Sequence, residues 1–280
     1  YKDLWADFRT TDCRPDGKVW DMYSSITNYV FGTDQNTGGG GREGADYNRE
    51  HSMPKSWFHD GYPMYTDLFH LYPTDSYINS MRSNYPFGEV GTVSKQSSGG
   101  FSKLGKSAVP GYSGTVFEPA DEYKGDFART YFYMVTRYEA QVAGWSSDML
   151  SGDAYPAFTD WALEVLLKWH RQDPVSDKEI DRNNAVYGIQ HNRNPYIDYP
   201  VLAEFVWGEL KGVPVDVAKL TLYSHEYDAT AVESPLAKEL VVVGVYDLTG
   251  RSIERPSRGM YIVNYRRPDG SVVSRKIIEN

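Results

Sequence analysis

Three polar clusters lie close together in the first third of the chain: Asn48 to His51, Asp67 to Pro73, and the group Asn79, Arg82 and Asn84. A neutral imidazole can take a proton from water near physiological pH, and a neighbouring carboxylate can bind a metal ion. Glu50 and His51 are therefore a candidate pair of metal ligand and general base.

Two strands and a helix would bring these clusters together. Adjacent side chains on a strand point to opposite faces, so Glu50 and His51 must sit at a bend or a strand end to serve one site. The segment DSYINSMRSN then predicts a helix capped by Asp75 or Ser76, which carries Asn79. The expected order is strand, strand, helix, with an amide oxygen donor on the helix.

Glu50 and Asn79 offer oxygen ligands of the kind that Mg²⁺ prefers, and substrate phosphate and water would complete its shell. Ca²⁺ or Mn²⁺ would suit the same donors. Zinc is disfavoured, because no H-E-x-x-H motif occurs and Cys13 is the only cysteine. That single cysteine also excludes an internal disulfide.

His70 alternates with apolar residues, which favours a packed strand histidine bonded to backbone. The alternative is that His70 lies behind His51 and supports the site. The other four histidines lack a comparable neighbourhood and are expected to be structural.

Overall composition indicates a globular protein of 280 residues, with 40% hydrophobic and 24% charged residues. No apolar run approaches the ~20 residues that cross a bilayer. The net charge of -9 argues against attraction of a polyanion through the overall field. The segment Gly91 to Tyr112 nevertheless holds Lys95, Lys103 and Lys106 and no acid, and it reads as a flexible basic loop or a solubilising one.

Helical periodicity dominates the middle of the chain. Apolar residues recur at spacings of three and four over 131–138 and 158–170, and Ser176 with Glu179 resembles a capping box that opens a further helix. After Gly212-Val213-Pro214 the pattern changes to short strand-like runs rich in β-branched residues, the first of them LTLYS (220–224), and Pro268-Asp269-Gly270 predicts a hairpin turn between the last two. We therefore expect a mixed α+β domain over 1–212 and a small all-β sandwich over 213–280.

Four ordered motifs carry a family resemblance: NREHSMPKSWF (48–58), DLFHLYPTDSYINSMRSNYPFGEV (67–90), KGDFARTYFYMVTRY (124–138) and the stretch from LLKWH to IDYP (166–200). The chain resembles the endonuclease I family of secreted and periplasmic bacterial nucleases, which has a ββα-metal (His-Me finger) core. The resemblance implies a metal-dependent endonuclease that cleaves DNA, and also RNA in many members, with little sequence preference. It makes His51 the general base and makes Glu50 and Asn79 the Mg²⁺ ligands.

Candidate phosphate ligands are Arg82 and Arg129, because a guanidinium matches phosphate oxygens in a bidentate fork. For Arg129 an internal ion pair with Asp126 or Glu122 is the competing interpretation. Some family members carry a long insertion with a phosphate-binding arginine, whereas residues 52–66 here are short. Lys55 or the basic loop is expected to take over that contact.

The end of the chain, from VYDLTGR through GMYIV to SVVSRKII, is similar to the C-terminal sorting domains of type IX secretion in Bacteroidetes bacteria. This resemblance implies contact with a secretion machinery and an extracellular or periplasmic protein whose signal peptide has been removed. A small β-sandwich that only packs on the first domain is the alternative.

Two other functions compete with the nuclease. The 23 tyrosines and 7 tryptophans could belong to a noncatalytic glycan- or surface-binding protein, although aromatic residues usually form core. A metal-dependent phosphatase acting on small phosphoesters would use the same residue types.

Overall fold

A computed structural model describes residues 1–227, 241–246, 251–253, 259–266 and 272–279 of the chain. It divides into two compact units, Tyr1–Tyr227 and Asp228–Asn280. The helices of the first unit are α1 (Leu4–Thr11), α2 (Ser76–Arg82), α3 (Lys124–Arg137), α4 (Glu139–Val142), α5 (Asp160–Gln172), α6 (Asp177–Gln190), α7 (Pro195–Asp198) and α8 (Leu202–Val206). Its strands are β1 (Tyr47–His51), β2 (Leu71–Asp75), β3 (Val90–Gln96), β4 (Lys103–Ser107) and β5 (Thr115–Glu118). The expected mixture of small sheets and several helices is confirmed.

The predicted order of strand, strand and helix is present. β1 pairs antiparallel with β2, with His51 opposite Leu71, and α2 follows β2 without a loop. The Asp75 carboxylate accepts a hydrogen bond from the Ile78 backbone N–H at 2.9 Å, which caps α2 as its sequence predicts. This cap fixes the direction in which α2 leaves the sheet.

A helical layer forms the core beside this motif. α3 buries every residue from Lys124 to Val135 and packs against α5. Both helices cover the apolar periodicity seen in the sequence, and Ser176 and Glu179 make both hydrogen bonds of a capping box at the start of α6. The helix predictions for this part of the chain are confirmed.

The basic segment is not a loop, so that prediction is wrong. Its lysines lie on β3 and β4, which form a hairpin within the antiparallel sheet β3-β4-β5. A Cβ atom on Gly105 would lie 2.1 Å from the Thr92 carbonyl oxygen, so only glycine allows the two strands to approach here. The side chains of β3 from Gly91 onward are partly or fully exposed, and the strand therefore lacks the apolar alternation that would have revealed it.

The boundary between the units lies later than the sequence indicates. Residues 213–227 belong to the first unit and contact its helices: the Tyr223 N–H donates to the Asp198 carbonyl at 2.8 Å, and the His225 ring lies 4.4 Å from that of His170. The LTLYS run (220–224), read as a strand, is turn and loop. A short apolar run cannot show which surface it packs on.

The described part of the second unit is one antiparallel sheet of three strands, β6 (Val241–Tyr246), β7 (Gly259–Arg266) and β8 (Val272–Glu279). These strands coincide with the strand-like runs of the sequence. The expected Pro268-Asp269-Gly270 turn lies outside the described residues. A second sheet, and with it the sandwich, stays a prediction.

Candidate active site

One open cavity of about 350 Å³ collects most of the polar residues singled out in the sequence. β1 contributes Glu50 and His51, and α2 contributes Asn79. His51 is the last residue of β1, and this strand end lets two adjacent side chains line one cavity. Arg82 and Lys55 line it as well.

Glu50 is buried at the back of this cavity. Its Oε1 accepts a hydrogen bond from the Tyr23 hydroxyl at 2.8 Å and forms an ion pair with Arg82 Nη1 at 3.0 Å. Burial raises the pKa of Glu50 to about 7, although Arg82 and Tyr23 both favour the carboxylate. Both of these contacts are made to Oε1. Nothing in its residue type marks Tyr23 in the sequence as a partner of this site.

Asn79 is oriented by Asn48 across the motif. Its Nδ2 donates to Asn48 Oδ1 at 2.7 Å, and its amide also hydrogen-bonds Glu50. No hydrogen bond to Asn79 Oδ1 occurs among the described residues, so this oxygen remains available as a ligand. Asn48 belongs to the NREH cluster of the sequence, but its orienting contact depends on β1 lying beside α2.

The imidazole of His51 is held in one tautomer. Its Nε2 lies 3.1 Å from the Tyr65 carbonyl oxygen, so Nε2 carries the proton and donates it. Nδ1 is then the unprotonated nitrogen. The ring stacks on Tyr65, at 5.1 Å between centroids, and on Tyr1, at 5.6 Å, and these two tyrosine rings contact each other at 4.7 Å. Sequence reasoning missed Tyr65, because a backbone carbonyl contact requires no particular side chain.

Burial, with His70 as a second cause, lowers the pKa of His51 to about 3. His51 is therefore neutral at physiological pH and able to accept a proton. His70 itself is fully buried, places Nε2 2.6 Å from the Met64 carbonyl oxygen, and lies 5.3 Å from the His51 ring. It is bonded to backbone as the sequence favours, but it lies in the bend just before β2 and not on a strand. It packs behind His51 without lining the cavity, and its supporting role stays a prediction.

The guanidinium of Arg82 is occupied by contacts within the protein, which corrects the prediction that Arg82 binds substrate phosphate. The side chain is fully buried, and besides Glu50 it donates to the carbonyl oxygens of His51 at 3.1 Å and Ser52 at 2.5 Å. Both Nη nitrogens are thus engaged. The contacts indicate that Arg82 holds Glu50 and the end of β1 in place.

Arg129 lies away from the cavity, which corrects the second phosphate prediction. It is fully buried and forms a bidentate ion pair with Glu179, with distances of 2.6 and 2.7 Å. Asp126 is more distant, at 3.8 Å, and Asp173 provides a carbonyl acceptor at 2.8 Å. The internal ion pair left open by the sequence is therefore present, with a partner on α6 that the sequence did not indicate.

Two cations reach the cavity from its rim. Lys55, with 48% of its side chain exposed, pairs with Asp60 and lies 5.6 Å from the Tyr65 ring. Arg49 lies 3.7 Å from the Tyr1 ring and donates to the Tyr1 carbonyl at 2.8 Å. Lys55 was predicted, and Arg49 is a further candidate from the same polar cluster as Glu50.

The residues present fit an oxygen-ligated ion better than a nitrogen- or sulfur-ligated one. Among the described residues no group of three or more His, Cys, Asp or Glu side chains could hold a metal. An ion here would be coordinated by Glu50, Asn79, water and substrate oxygens, and hard divalent cations prefer such oxygen ligands. The pair Glu50 and Arg82 carries no net charge, so an anionic substrate would strengthen ion binding.

A family model described as Endonuclease I matches residues 1–201. The chain belongs to the endonuclease I family. Because its family consists of nucleases, the protein is a nuclease. Nucleases of this family generally depend on a divalent metal ion. The match spans the whole ββα motif together with α3, α5 and α6.

Curated relatives carry nuclease names. An extracellular ribonuclease of Bacillus amyloliquefaciens is 36% identical over 222 residues, covering 74% of this chain and 68% of the relative. A protein of the same name from Bacillus subtilis (strain 168) is 35% identical over 212 residues, with the same coverage. A periplasmic deoxyribonuclease of Aeromonas hydrophila is 26% identical over 132 residues, or 47% of each chain. No helix in the described residues is long and apolar enough to cross a membrane.

Proposed function

We propose that this endonuclease I family member hydrolyses phosphodiester bonds of RNA and DNA with little sequence preference, using His51 as the general base. The observation that carries this proposal is the convergence of Glu50, His51 and Asn79 on one cavity, with His51 Nε2 tied to the Tyr65 carbonyl. That tie leaves Nδ1 as the basic nitrogen. The more similar relatives are named ribonucleases and a more distant one a deoxyribonuclease, which supports both substrates.

In the proposed reaction His51 Nδ1 takes a proton from the attacking water while the ring is kept in place by Tyr65 and His70. Glu50 and Asn79 would hold Mg²⁺, or Ca²⁺ or Mn²⁺, which would stabilise charge on the phosphate and on the leaving 3′ oxygen. Arg82 opposes the effect of burial on the pKa of Glu50 and so favours the carboxylate form, which would hold the ion. Lys55 and Arg49 are positioned to attract the substrate phosphate.

The test compares wild type, His51→Asn and His191→Asn on RNA and DNA, each with Mg²⁺ and with EDTA. His191 is an exposed histidine in a left-handed conformation at the end of α6, which asparagine tolerates, so its variant controls for the loss of an imidazole. We expect His51→Asn to lose about 10²–10⁴-fold in rate, as removal of a general base does. Full activity of His51→Asn, or activity that survives EDTA, would contradict the mechanism. Release of phosphate from a small ester without cleavage of either polymer would favour the phosphatase instead.

Export of the protein is the second part of the proposal. Two relatives are named extracellular and one periplasmic, and the last residues are similar to type IX sorting domains. In a Bacteroidetes host, deletion of residues 228–280 should leave the nuclease inside the cell envelope while its specific activity in lysates is kept. Equal amounts of full-length and shortened protein in the medium would refute the sorting role.

A further inference from the structure

A second open groove adjoins the active-site cavity. This aromatic groove, of about 570 Å³, is lined by Trp57, Tyr85, Tyr112, Thr115 and Asp148. Ser56 and Asn84 line both it and the active-site cavity, so the two spaces meet along one wall. We propose that the aromatic groove binds an unpaired nucleotide of the substrate strand next to the scissile phosphate, with its base against Tyr85. The inference rests on the proposed nuclease function and adds a specificity-determining subsite to it.

The turn after α2 fixes Tyr85 at this position. α2 ends at Arg82, and the next residue, Ser83, turns the chain with its φ of 53°. The Tyr85 N–H donates to the Arg82 carbonyl at 3.2 Å. Two residues later Phe87 is fully buried and packs on Phe127 at 4.8 Å. Tyr85 remains 39% exposed between these anchors. The segment that ends the site helix thus presents an aromatic side chain to the adjoining groove, where a base can stack.

The far wall of the groove suits a base better than a phosphate. The Tyr112 ring stacks on Trp161 at 4.2 Å with an angle of 8° between planes, and its hydroxyl donates to Asp148 at 2.7 Å. The Asp148 carboxylate would repel a phosphate, whereas base edges offer N–H donors to it. A base in a duplex is stacked on both neighbours and cannot lay its face against Tyr85, so the groove favours a single strand.

A cation flanks the groove where the next phosphate would lie. Lys106 on β4 is opposite Thr115 on β5, and side chains directly opposite each other share one face of an antiparallel sheet. Thr115 lines the groove, so Lys106 stands on the same side. Lys106 is exposed and makes no ion pair among the described residues. The basic hairpin therefore brings a free positive charge to the groove.

The test uses a single-stranded oligonucleotide in which every linkage except one is protected from cleavage. An abasic residue is moved step by step along both sides of the cleavable linkage. For wild type we expect one adjacent position where loss of the base raises KM by about tenfold, because base-aromatic stacking is of that size. Tyr85→Ala should raise KM on the intact oligonucleotide by a similar factor and should be insensitive to the abasic residue at that position.

Matched control variants distinguish an effect of the groove on KM from a general effect of the substitution. Tyr187→Ala removes a similarly exposed tyrosine that lines neither space, and we expect no change in KM. Lys106→Gln should raise KM and reduce its salt dependence more than Lys95→Gln does. Lys106 lies directly opposite Thr115 of the groove, whereas Lys95 lies on β3, which β4 separates from β5. Equal abasic profiles for wild type and Tyr85→Ala would overturn the inference. Absence of any cleavage by wild type would instead overturn the proposed function.

Discussion

Replacing Arg82 by methionine tests whether Glu50 binds the ion. The change removes the positive charge 3.0 Å from Glu50 and two donors to backbone carbonyls, while methionine keeps most of the buried volume. Removing one partner of a buried ion pair costs about 3–5 kcal/mol in the free energy of unfolding. Tyr23 still donates to Glu50, and the Tyr131 hydroxyl still donates to the Ser52 carbonyl at 2.8 Å. We therefore expect the lower end, about 3 kcal/mol.

Binding of a divalent ion should restore part of the lost stability. Without Arg82 the carboxylate of Glu50 has no cation, so Mg²⁺ should bind Arg82→Met more tightly than wild type in the absence of substrate. A tenfold tighter binding adds about 1.4 kcal/mol to stability at saturating ion. The pKa of Glu50 is already raised to about 7 by burial, and loss of Arg82 raises it further. Protons would then compete with the ion, so the measurement belongs at about pH 8.5 or above.

The assay is urea unfolding of both proteins with and without Mg²⁺. Arg182→Met is the matched control, because Arg182 is likewise buried, pairs with Asp12 at 2.8 Å, donates to two backbone carbonyls, and does not line the cavity. It should lose similar stability and gain nothing from Mg²⁺. If Mg²⁺ stabilised the two arginine variants equally, Glu50 would not be the ion ligand.

Three further results are expected. Asn48→Ala should lower the apparent Mg²⁺ affinity by about 10–100-fold, as loss of a ligand-orienting contact does, and an unchanged Mg²⁺ dependence of activity would contradict the role of Asn48. Arg129→Met should cost about 3–5 kcal/mol in urea unfolding because it leaves the buried Glu179 carboxylate without its cation. Folded Arg129→Lys should keep its activity, and an inactive but stable Arg129→Lys would show that Arg129 acts in the site. Burial raises the pKa of Asp21 from 3.8 to about 7, so the folded protein holds this proton more tightly than the unfolded chain, and stability falls as pH rises from about 4 to about 7. Asp21→Asn should remove that fall, of which about 3 kcal/mol lies between about pH 5 and about pH 8, and unfolding curves at these two pH values would reveal a flatter profile.

Local signals account for what the sequence determines about this protein. The Asp75 cap, the capping box at Ser176 and the helical periods of α3 and α5 each depend on residues within one or two turns, and all are present in the structure. The order of β1, β2 and α2 follows from such signals. Because a strand end and a helix that follows the next strand meet at one place, the sequence also predicts that Glu50, His51 and Asn79 approach each other.

Tertiary structure alone decides which charged groups face solvent. Arg82 and Arg129 look like phosphate ligands in the sequence, yet each is buried against a carboxylate whose position depends on packing between separate elements. The tautomer of His51 likewise depends on a backbone carbonyl from another segment. The sequence does not reveal the β3-β4 hairpin, because apolar and polar residues alternate only in strands that bury one face, and β3 is exposed. Residue type determines what a group can do chemically, but the energy of its surroundings, set by chain segments distant in sequence, determines whether it reaches the substrate.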